Sequence, residues 1–245
     1  MCGIFGWSFK EGDSASRVAL AAALQVLNDD RGGDSYGYFD GAQVTRGVKE
    51  IVSVPAMVLA QSPLLVAHTR KATTGAAPAE NAHPFEVGGL IGAHNGVVSN
   101  HAALNTRYGR ACAVDSMHLF HHLAENRPLI DIEGYGAIEY VRREEPDRVN
   151  LCRMTEASEL AVFGVGPDVR STTAVIWSSD VEHLEAALKV AGLRGAGFWY
   201  QIDAGAVYVA QQGRLYVTET KIELAKHERK FSDWRSGWVD KEDRE

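Results

Sequence analysis

The sequence is poor in the features that mark secreted and membrane proteins. Its 245 residues include three cysteines, Cys2, Cys112 and Cys152, and this odd, widely spaced set matches neither a disulfide framework nor a zinc ribbon. Such cysteine use favours a reducing cytoplasm. No stretch approaches the roughly 18 apolar residues of a membrane span, and the N-terminus lacks a basic region followed by an apolar run. We therefore expect a cytoplasmic protein.

The chain also has no excess of positive charge. Lys and Arg number 25 against 32 Asp and Glu, which gives a formal net charge of −7. Nucleic-acid backbones and anionic membranes bind basic faces, so we expect neither as a partner. Apolar residues make up 45% and charged residues 23% of the chain, as in an ordinary globular protein with a sizeable core.

The hydrophobic pattern predicts a helix early in the chain and strands later. Leu20, Leu24 and Leu27 recur at helical spacing and predict a helix over about 15–28, capped by Asp13 or Ser14. From residue 134 onwards the pattern predicts strands at 134–142, 148–154, 160–165 and 173–177, and a hairpin of strands 206–210 and 214–218.

A capping box marks one more helix in the second half. Ser179 and Glu182 have the spacing of that motif, and Gly192 closes the helix that follows. No linker or internal repeat interrupts the chain. We expect one domain over 2–220 and a charged tail over 221–245 that contains Trp234 and Trp238.

The position of Cys2 directly after Met1 gives it unusual reactivity. Once Met1 is removed, Cys2 carries a thiol and a free α-amine on one residue. An α-amine has a pKa of roughly 7.7–8.0, so it can take the thiol proton at neutral pH and act as a general base. The alternative is that Cys2 is a small buried residue that opens a strand, since free cysteines are often buried.

Two polar segments follow short apolar strands. The strand over 64–67 leads to Arg70 and Thr73, and a guanidinium beside a hydroxyl suits a carboxylate, although a solvated strand end has the same pattern. Asn95-Gly96 follows the strand over 90–93. That dipeptide is a strong signal for a hairpin turn, or it forms an oxyanion hole from the Asn95 amide and the Gly96 N–H.

A histidine-rich helix is predicted to begin near Asp115, with Asp115 or Ser116 as its cap, and to run to about Glu125. His118, His121 and His122 have a spacing that could bind a metal. No nearby carboxylate or cysteine completes a ligand set, so the pattern favours a solvated helix face and no metal site.

These motifs occur in one specific order along the chain. The order is Met1-Cys2-Gly3-Ile4-Phe5-Gly6, Arg31-Gly32-Gly33-Asp34-Ser35-Tyr36-Gly37, His68-Thr69-Arg70-Lys71-Ala72-Thr73, Asn81-Ala82-His83-Pro84, His94-Asn95-Gly96 and Asp115. In this order and spacing the chain resembles the class II glutamine amidotransferases, whose glutaminase domain is an N-terminal-nucleophile hydrolase. The resemblance covers about residues 2–220, and its motifs lie in the first 120.

The resemblance implies an α+β fold, a four-layer α/β/β/α sandwich of two stacked, mainly antiparallel sheets. It also implies that L-glutamine is hydrolysed to glutamate and ammonia without a cofactor. Cys2 would be the nucleophile, and Asn95 and Gly96 would bind the oxyanion. The implied substrate-binding residues are Arg70, Thr73, Asp115, and, as support for the site, His83 and Arg31.

The sequence departs from the family in two respects. Many members read His-Thr-Arg-Trp-Ala-Thr-His-Gly where this chain has Lys71 and Thr74, which leaves room for another γ-glutamyl substrate. Members normally continue into a synthase domain, whereas 25 residues follow residue 220 here. Three functions remain open: a glutaminase that supplies ammonia to a separate enzyme, which we favour, a self-sufficient γ-glutamyl or small-amide hydrolase, and an inactive binding or sensor module.

Overall fold

Two antiparallel sheets form the centre of the molecule. The computed structural model describes residues 2–10, 14–71 and 78–225. Its strands are β1 (Gly3–Phe9), β2 (Ser35–Phe39), β3 (Val44–Val48), β4 (Leu64–Arg70), β5 (Phe85–Val87), β6 (Leu90–Val98), β7 (Gly134–Arg142), β8 (Glu145–Arg153), β9 (Ala161–Val165), β10 (Ala174–Ser178), β11 (Gly197–Tyr200), β12 (Ala206–Gln211) and β13 (Arg214–Lys221). The first sheet has the order β11-β9-β10-β1-β4-β2-β3 and the second β13-β12-β8-β7-β6-β5.

Helices cover the outer face of each sheet. They are α1 (Ser14–Gly32), α2 (Ala56–Leu59), α3 (His101–Tyr108), α4 (Met117–Ala124) and α5 (Val181–Val190), with 3-10 turns at Ile51–Ser53 and Ala79–Asn81. The helices α1, α2 and α5 pack with the first sheet, and α3 and α4 pack with the second. The four-layer α/β/β/α sandwich predicted by the resemblance is confirmed.

Successive side chains of β1 point to opposite faces of the sheet and pack into two different apolar layers. Ile4 faces the second sheet and packs with Val66, whereas Phe5 and Trp7 face outwards and pack with α1. The side chains of Ile4, Phe5 and Trp7 are completely buried, and burying each one contributes about 1.5–3 kcal/mol or more. A third apolar layer joins the second sheet to α3 and α4.

The element bounds differ from the sequence predictions in several places. The helix α1 extends to Gly32, four residues beyond the prediction, and α3, β3, β5 and β11 were not predicted. The capping box at Ser179 is wrong. Asp180 is the N-cap of α5, where its carboxylate accepts a hydrogen bond from the backbone N–H of His183 at 3.0 Å, and the Ser179 hydroxyl bonds to Ile4 instead.

The end of the described chain is tied to the second sheet. Ile222 and Leu224 belong to the third apolar layer, and the Ala225 N–H donates to the Ile132 carbonyl at 3.0 Å. The domain boundary at residue 220 stays a prediction. Trp234 and Trp238, which define the predicted tail, lie outside the described residues.

The prediction of a solvated histidine face on α4 is wrong. His118 and His122 are completely buried, and they belong to a group that we call the outer polar cluster. Its members are Tyr108, Arg110, His118, His122, Glu125 and Asp131. Within the described ranges, no group of three or more His, Cys, Asp or Glu side chains is placed to hold a metal ion. None of the described helices has the length and apolar character needed to cross a membrane.

Candidate active site

Cys2 lies at the start of β1, on the side of the first sheet that faces the second. Ile4 points into that layer, so alternation directs the Cys2 side chain the same way. The thiol is 3.9 Å from the carbonyl oxygen of Lys71, and the residue is half-buried. The proposed nucleophile therefore faces the space between the sheets at one end of the sandwich.

Contacts on the α5 side hold the backbone of Cys2 in place. The Arg31 Nε donates to the Cys2 carbonyl at 3.1 Å, and the Arg31 guanidinium forms an ion pair with Asp180. The Arg31 side chain is 12% exposed and the Asp180 side chain is 20% exposed, so the pair is shielded from solvent. Arg31, predicted as a substrate-binding residue, thus makes its described contacts with protein and positions Cys2.

Ser179 adds a second attachment next to the first. Its hydroxyl accepts from the Ile4 N–H at 3.1 Å, and its own N–H donates to the Ile4 carbonyl at 2.9 Å. Sequence reasoning missed the roles of Ser179 and Asp180, because a Ser-Asp pair before a helix is also an ordinary capping signal. The observation that would reveal them is the pairing of β10 with β1.

Arg70 lies on the strand next to Cys2. Thr69 pairs with Gly3, so Arg70 comes opposite Cys2 on the same face. The Arg70 Nη1 is buried and has no hydrogen-bond partner among the described residues. A buried guanidinium nitrogen without a partner is costly, and a substrate carboxylate would satisfy it. Thr73, its predicted companion, lies outside the described residues.

Asn95 and Gly96 lie inside β6, so the hairpin turn is wrong at this position. Ile91 and Ala93 face the first sheet, and Asn95 continues that alternation. The Val98 N–H donates to a carboxylate of Asp115 rather than to β7. Because alternate N–H groups of a strand point the same way, the Gly96 N–H points to that edge of β6 too.

Close packing explains the glycine at position 96. A Cβ there would lie 2.0 Å from the Tyr135 carbonyl oxygen and 2.5 Å from the His94 Nε2. His94 bonds to the Ser116 hydroxyl at 2.8 Å through Nδ1 and to the Tyr135 carbonyl at 3.2 Å through Nε2. Burial lowers the pKa of His94, so the ring is a neutral support under Gly96. This role of His94 was not predicted.

The Asp115 carboxylate bonds to β6 rather than to the start of α4. Its Oδ2 accepts from the Val98 N–H at 2.7 Å, and its Oδ1 is 3.4 Å from the Ser116 hydroxyl. Of the two predicted caps, Asp115 is therefore wrong, and Ser116 occupies the N-cap position, without a side-chain bond to the helix. One carboxylate oxygen is firmly bonded and the other only loosely, so the latter can accept from a substrate ammonium.

His83 forms part of the wall between the sheets. Its ring lies 4.2 Å from that of His68 and 4.4 Å from that of Phe85, centroid to centroid. Burial lowers the pKa of His68 to about 3 and places that of His83 well below the usual range. Both rings are neutral at pH 7, so the cations near Cys2 are Arg31, which is paired with Asp180, and Arg70. No described contact of His83 distinguishes a substrate-binding role from a supporting one.

The predicted residues therefore converge at one end of the sandwich from both sheets. Cys2 and Arg70 come from the first sheet, and Asn95, Gly96 and Asp115 come from the second sheet and the segment before α4. A thiol faces an amide donor, while a cation and an anion flank them. This arrangement suits the attack of a nucleophile on the carbonyl group of a zwitterionic amino acid derivative.

Comparison with known proteins extends this picture. No family model matches the chain. The glutamine–fructose-6-phosphate aminotransferase of Aeropyrum pernix is 30% identical over 236 residues, which cover 85% of this chain and 37% of that protein. The enzyme of the same name from Pseudomonas syringae pv. tomato is 29% identical over 188 residues, which cover 68% of this chain and 30% of that protein. The chain thus spans about a third of the length of these curated relatives.

Solved structures share the fold. The glutamine phosphoribosylpyrophosphate amidotransferase from B. subtilis superposes with a TM-score of 0.62 at 18% identity, over 89% of this chain and 49% of that chain. An allosteric regulatory enzyme of purine biosynthesis gives a TM-score of 0.63 at 17% identity. The sequence relatives and the shared two-sheet fold agree with the ordered motifs, and the chain is a homologue of the class II glutamine amidotransferases.

Proposed function

We propose that this chain hydrolyses L-glutamine to glutamate and ammonia through a thioester on Cys2, and that the ammonia passes to a separate acceptor enzyme. The carrying observation is the unpaired, buried Nη1 of Arg70 on the strand beside Cys2. In this proposal Arg70 binds the α-carboxylate of glutamine, with Thr73 as an assisting donor. The loosely bonded oxygen of Asp115 binds the α-ammonium.

The chemistry then follows from the groups around Cys2. The Cys2 α-amine takes the thiol proton, and Sγ attacks the side-chain carbonyl carbon of glutamine. Asn95 and the Gly96 N–H stabilise the oxyanion of the tetrahedral intermediate. As the C–N bond breaks, the α-ammonium returns a proton to the departing nitrogen and ammonia leaves. Water then hydrolyses the thioester to release glutamate.

The acceptor would be a separate protein. The relatives that the chain matches carry names that join glutamine to an acceptor, fructose 6-phosphate. Cys112 and Cys152 are buried free thiols, which supports our placing of the enzyme in the reducing cytoplasm. Docking of the acceptor enzyme should raise turnover, whereas a self-sufficient hydrolase would reach full turnover alone.

Glutamate release from the purified chain tests the proposal. We expect the active protein to have the mass of a chain without Met1, because the α-amine of Cys2 is free only then. Cys2→Ala should abolish turnover, while Cys112→Ala, which removes a buried thiol outside the site, should retain it. Turnover by Cys2→Ala, or retention of Met1 on the active protein, would rule out this mechanism.

A further inference from the structure

A cavity lies at the β9 and β11 side of the sandwich, on the side of β1 that is away from Arg70. Its volume is about 580 Å³. In the first sheet, β1 lies between β4, which carries Arg70, and β10. The chain continues from β10 through Asp180 to Val181, which lines the cavity. Arg31 bonds both to the Cys2 carbonyl and to Asp180, so one side chain links Cys2 to the residue that precedes Val181.

The second sheet gives the same order. Ala137 on β7 pairs with Asn95 on one side and with Arg153 on the other. Residues paired in this way share a face, so Asn95 and Arg153 both face the first sheet, and Arg153 lines the cavity. Ser158, another lining residue, accepts from the Gly136 N–H at 2.9 Å, and Gly136 pairs with Gly96.

These positions define a direction through the proposed active site. Arg70 and Asp115 lie at one end, Cys2 and Asn95 are in the middle, and the cavity is at the other end. A glutamine whose α-carboxylate and α-ammonium bind at the first end has its side-chain amide at Cys2. The amide nitrogen, which is the leaving group, then points towards the cavity.

The cavity has an apolar and aromatic part. Its volume is many times the roughly 30 Å³ of a water molecule. The apolar and aromatic side chains that line it are Leu160, Val162, Val181, Trp199, Tyr200 and Ile202, and the polar ones include Glu156, Glu159 and Gln201. Arg153 is paired with Glu156 at 3.0 Å, while its Nε is buried without a partner among the described residues, and Glu159 is exposed. The apolar part suits the apolar or aromatic body of an organic group, and the Arg153 Nε can donate to an acceptor on it.

We propose that this cavity binds the amine part of a γ-glutamyl amide, a primary amine with an apolar or aromatic body; the inference rests on the proposed function. Cys2 Sγ attacks the γ-carbonyl carbon, the C–N bond breaks, and the amine leaves with a proton from the Cys2 α-ammonium. Water hydrolyses the thioester to glutamate. An amine in the same cavity can instead attack the thioester, which forms a new γ-glutamyl amide and returns the thiol.

Turnover of γ-L-glutamyl-p-nitroanilide, compared with that of glutamine, tests the proposal. Release of p-nitroaniline is followed by absorbance, and glutamate is measured for both substrates. Val181→Trp narrows the cavity from the start of α5. We expect the ratio of kcat/KM for the anilide to kcat/KM for glutamine to fall at least tenfold. Glu159→Trp, a change of an exposed residue on the opposite wall, should lower the same ratio.

Val190→Trp is the matched control, because it makes the same change near the other end of α5, where the valine is 66% exposed. It should leave the ratio unchanged. The cavity proposal is overturned if the wild-type protein hydrolyses glutamine without releasing p-nitroaniline, or if both narrowing variants behave like the control. If the wild-type protein hydrolyses neither substrate, the proposed function fails together with this inference.

Discussion

Two polar clusters on opposite sides of the second sheet differ in how their charges are paired. In the outer polar cluster, Arg110 bonds to Glu125 at 2.8 Å, His122 is 3.2 Å from Asp131, and the Tyr108 hydroxyl donates to the same aspartate. The His118 Nε2 has no partner there among the described residues, but the charged groups are paired with one another. At the Cys2 end of the inner side, which we call the open cluster, the Nη1 of the cation Arg70 has no partner among the described residues.

The difference separates a structural role from a binding role. In the outer polar cluster, charged side chains pair with one another and stabilise the packing of α3 and α4. An unpaired buried donor is costly in the free protein and is satisfied when a substrate binds. These contacts indicate a structural role for the histidine-rich helix, and they favour Arg70 as the substrate-binding residue that we propose. Each of the following predictions changes one cluster and uses the other as its control.

The largest difference should come from two asparagines. Asn95→Ala removes a proposed oxyanion donor and should lower kcat for glutamine by about 10²–10³ with little change in stability. Asn105→Ala removes two hydrogen bonds to the backbone of Cys112, beside the outer polar cluster. It should cost about 1–2 kcal/mol of stability and leave kcat unchanged. Steady-state kinetics and thermal unfolding of both variants would check this, and equal losses of kcat would break the comparison.

Two arginines should differ by a smaller amount. Arg70→Ala removes the proposed carboxylate ligand and should lower kcat/KM about 10- to 100-fold, mainly through KM. Arg110→Ala removes the donor to the buried histidines and leaves Glu125 paired with Arg127 alone, so it should lower the free energy of unfolding by about 1–3 kcal/mol. Kinetics and urea unfolding measure the two effects. An unchanged KM in Arg70→Ala would show that the open cluster is not a substrate site.

Asp180 should have a moderate effect through the position of Cys2. Asp180→Asn weakens the ion pair that holds Arg31, and Arg31 orients the Cys2 carbonyl. We expect kcat to fall about tenfold with KM nearly constant, because a small misplacement of a nucleophile slows the reaction more than binding. Asp168→Asn, on an exposed loop, is the control. A change confined to KM would argue against a positioning role.

Glu139 should have the smallest effect and tests the limit of the comparison. It is completely buried between the sheets, bonds to the Trp177 indole N–H, and has one unpaired oxygen, yet it is not at the Cys2 end. Burial raises the pKa of Glu139 well above its usual value of 4.5, whereas the Trp177 bond acts in the opposite direction. The folded protein therefore keeps a proton that the unfolded chain loses, and stability falls as the pH rises above about 4.5.

Glu139→Gln removes this titration. The variant should be more stable than the wild type at pH 8 by about 1 kcal/mol, with turnover unchanged, and the difference should vanish near pH 4. Urea unfolding at both pH values measures it. A difference independent of pH would show that Glu139 is ionised in the fold, and a loss of turnover would give this second unpaired group a functional role.

Sequence reasoning predicted the sandwich, and the site residues that it named stay predictions, but it misread several local structures. The ordered motifs located Cys2, Arg70 and Asp115, and the second-half strands agreed closely with β7 and β9. The local patterns were ambiguous because Asn-Gly and Asp-Ser have the same signals in turns and caps as in strands and sites. The pairing of strands in the fold decides between these uses, and it cannot be read from the spacing of residues in the sequence.

The buried histidines show the same limit. The spacing of His118 and His122 predicts a solvated helix face. In the fold, Arg110 and Asp131, which lie outside α4, contact them instead. Likewise, the contacts of Arg31 with Cys2 and Asp180 join residues that are 29 and 149 positions apart. Such long-range polar contacts depend on the relative placement of elements and not on local propensity.

Covalent labelling of Cys2 tests the central claim most directly. A glutamine analogue with an electrophilic carbon in place of the side-chain amide should form one adduct, on an N-terminal peptide that begins with Cys2. Arg70→Ala should lose this labelling at low concentrations of the analogue, while Arg110→Ala should keep it. An adduct on Cys112 or Cys152, or on a chain that retains Met1, would contradict a substrate site built from the open cluster around an N-terminal cysteine.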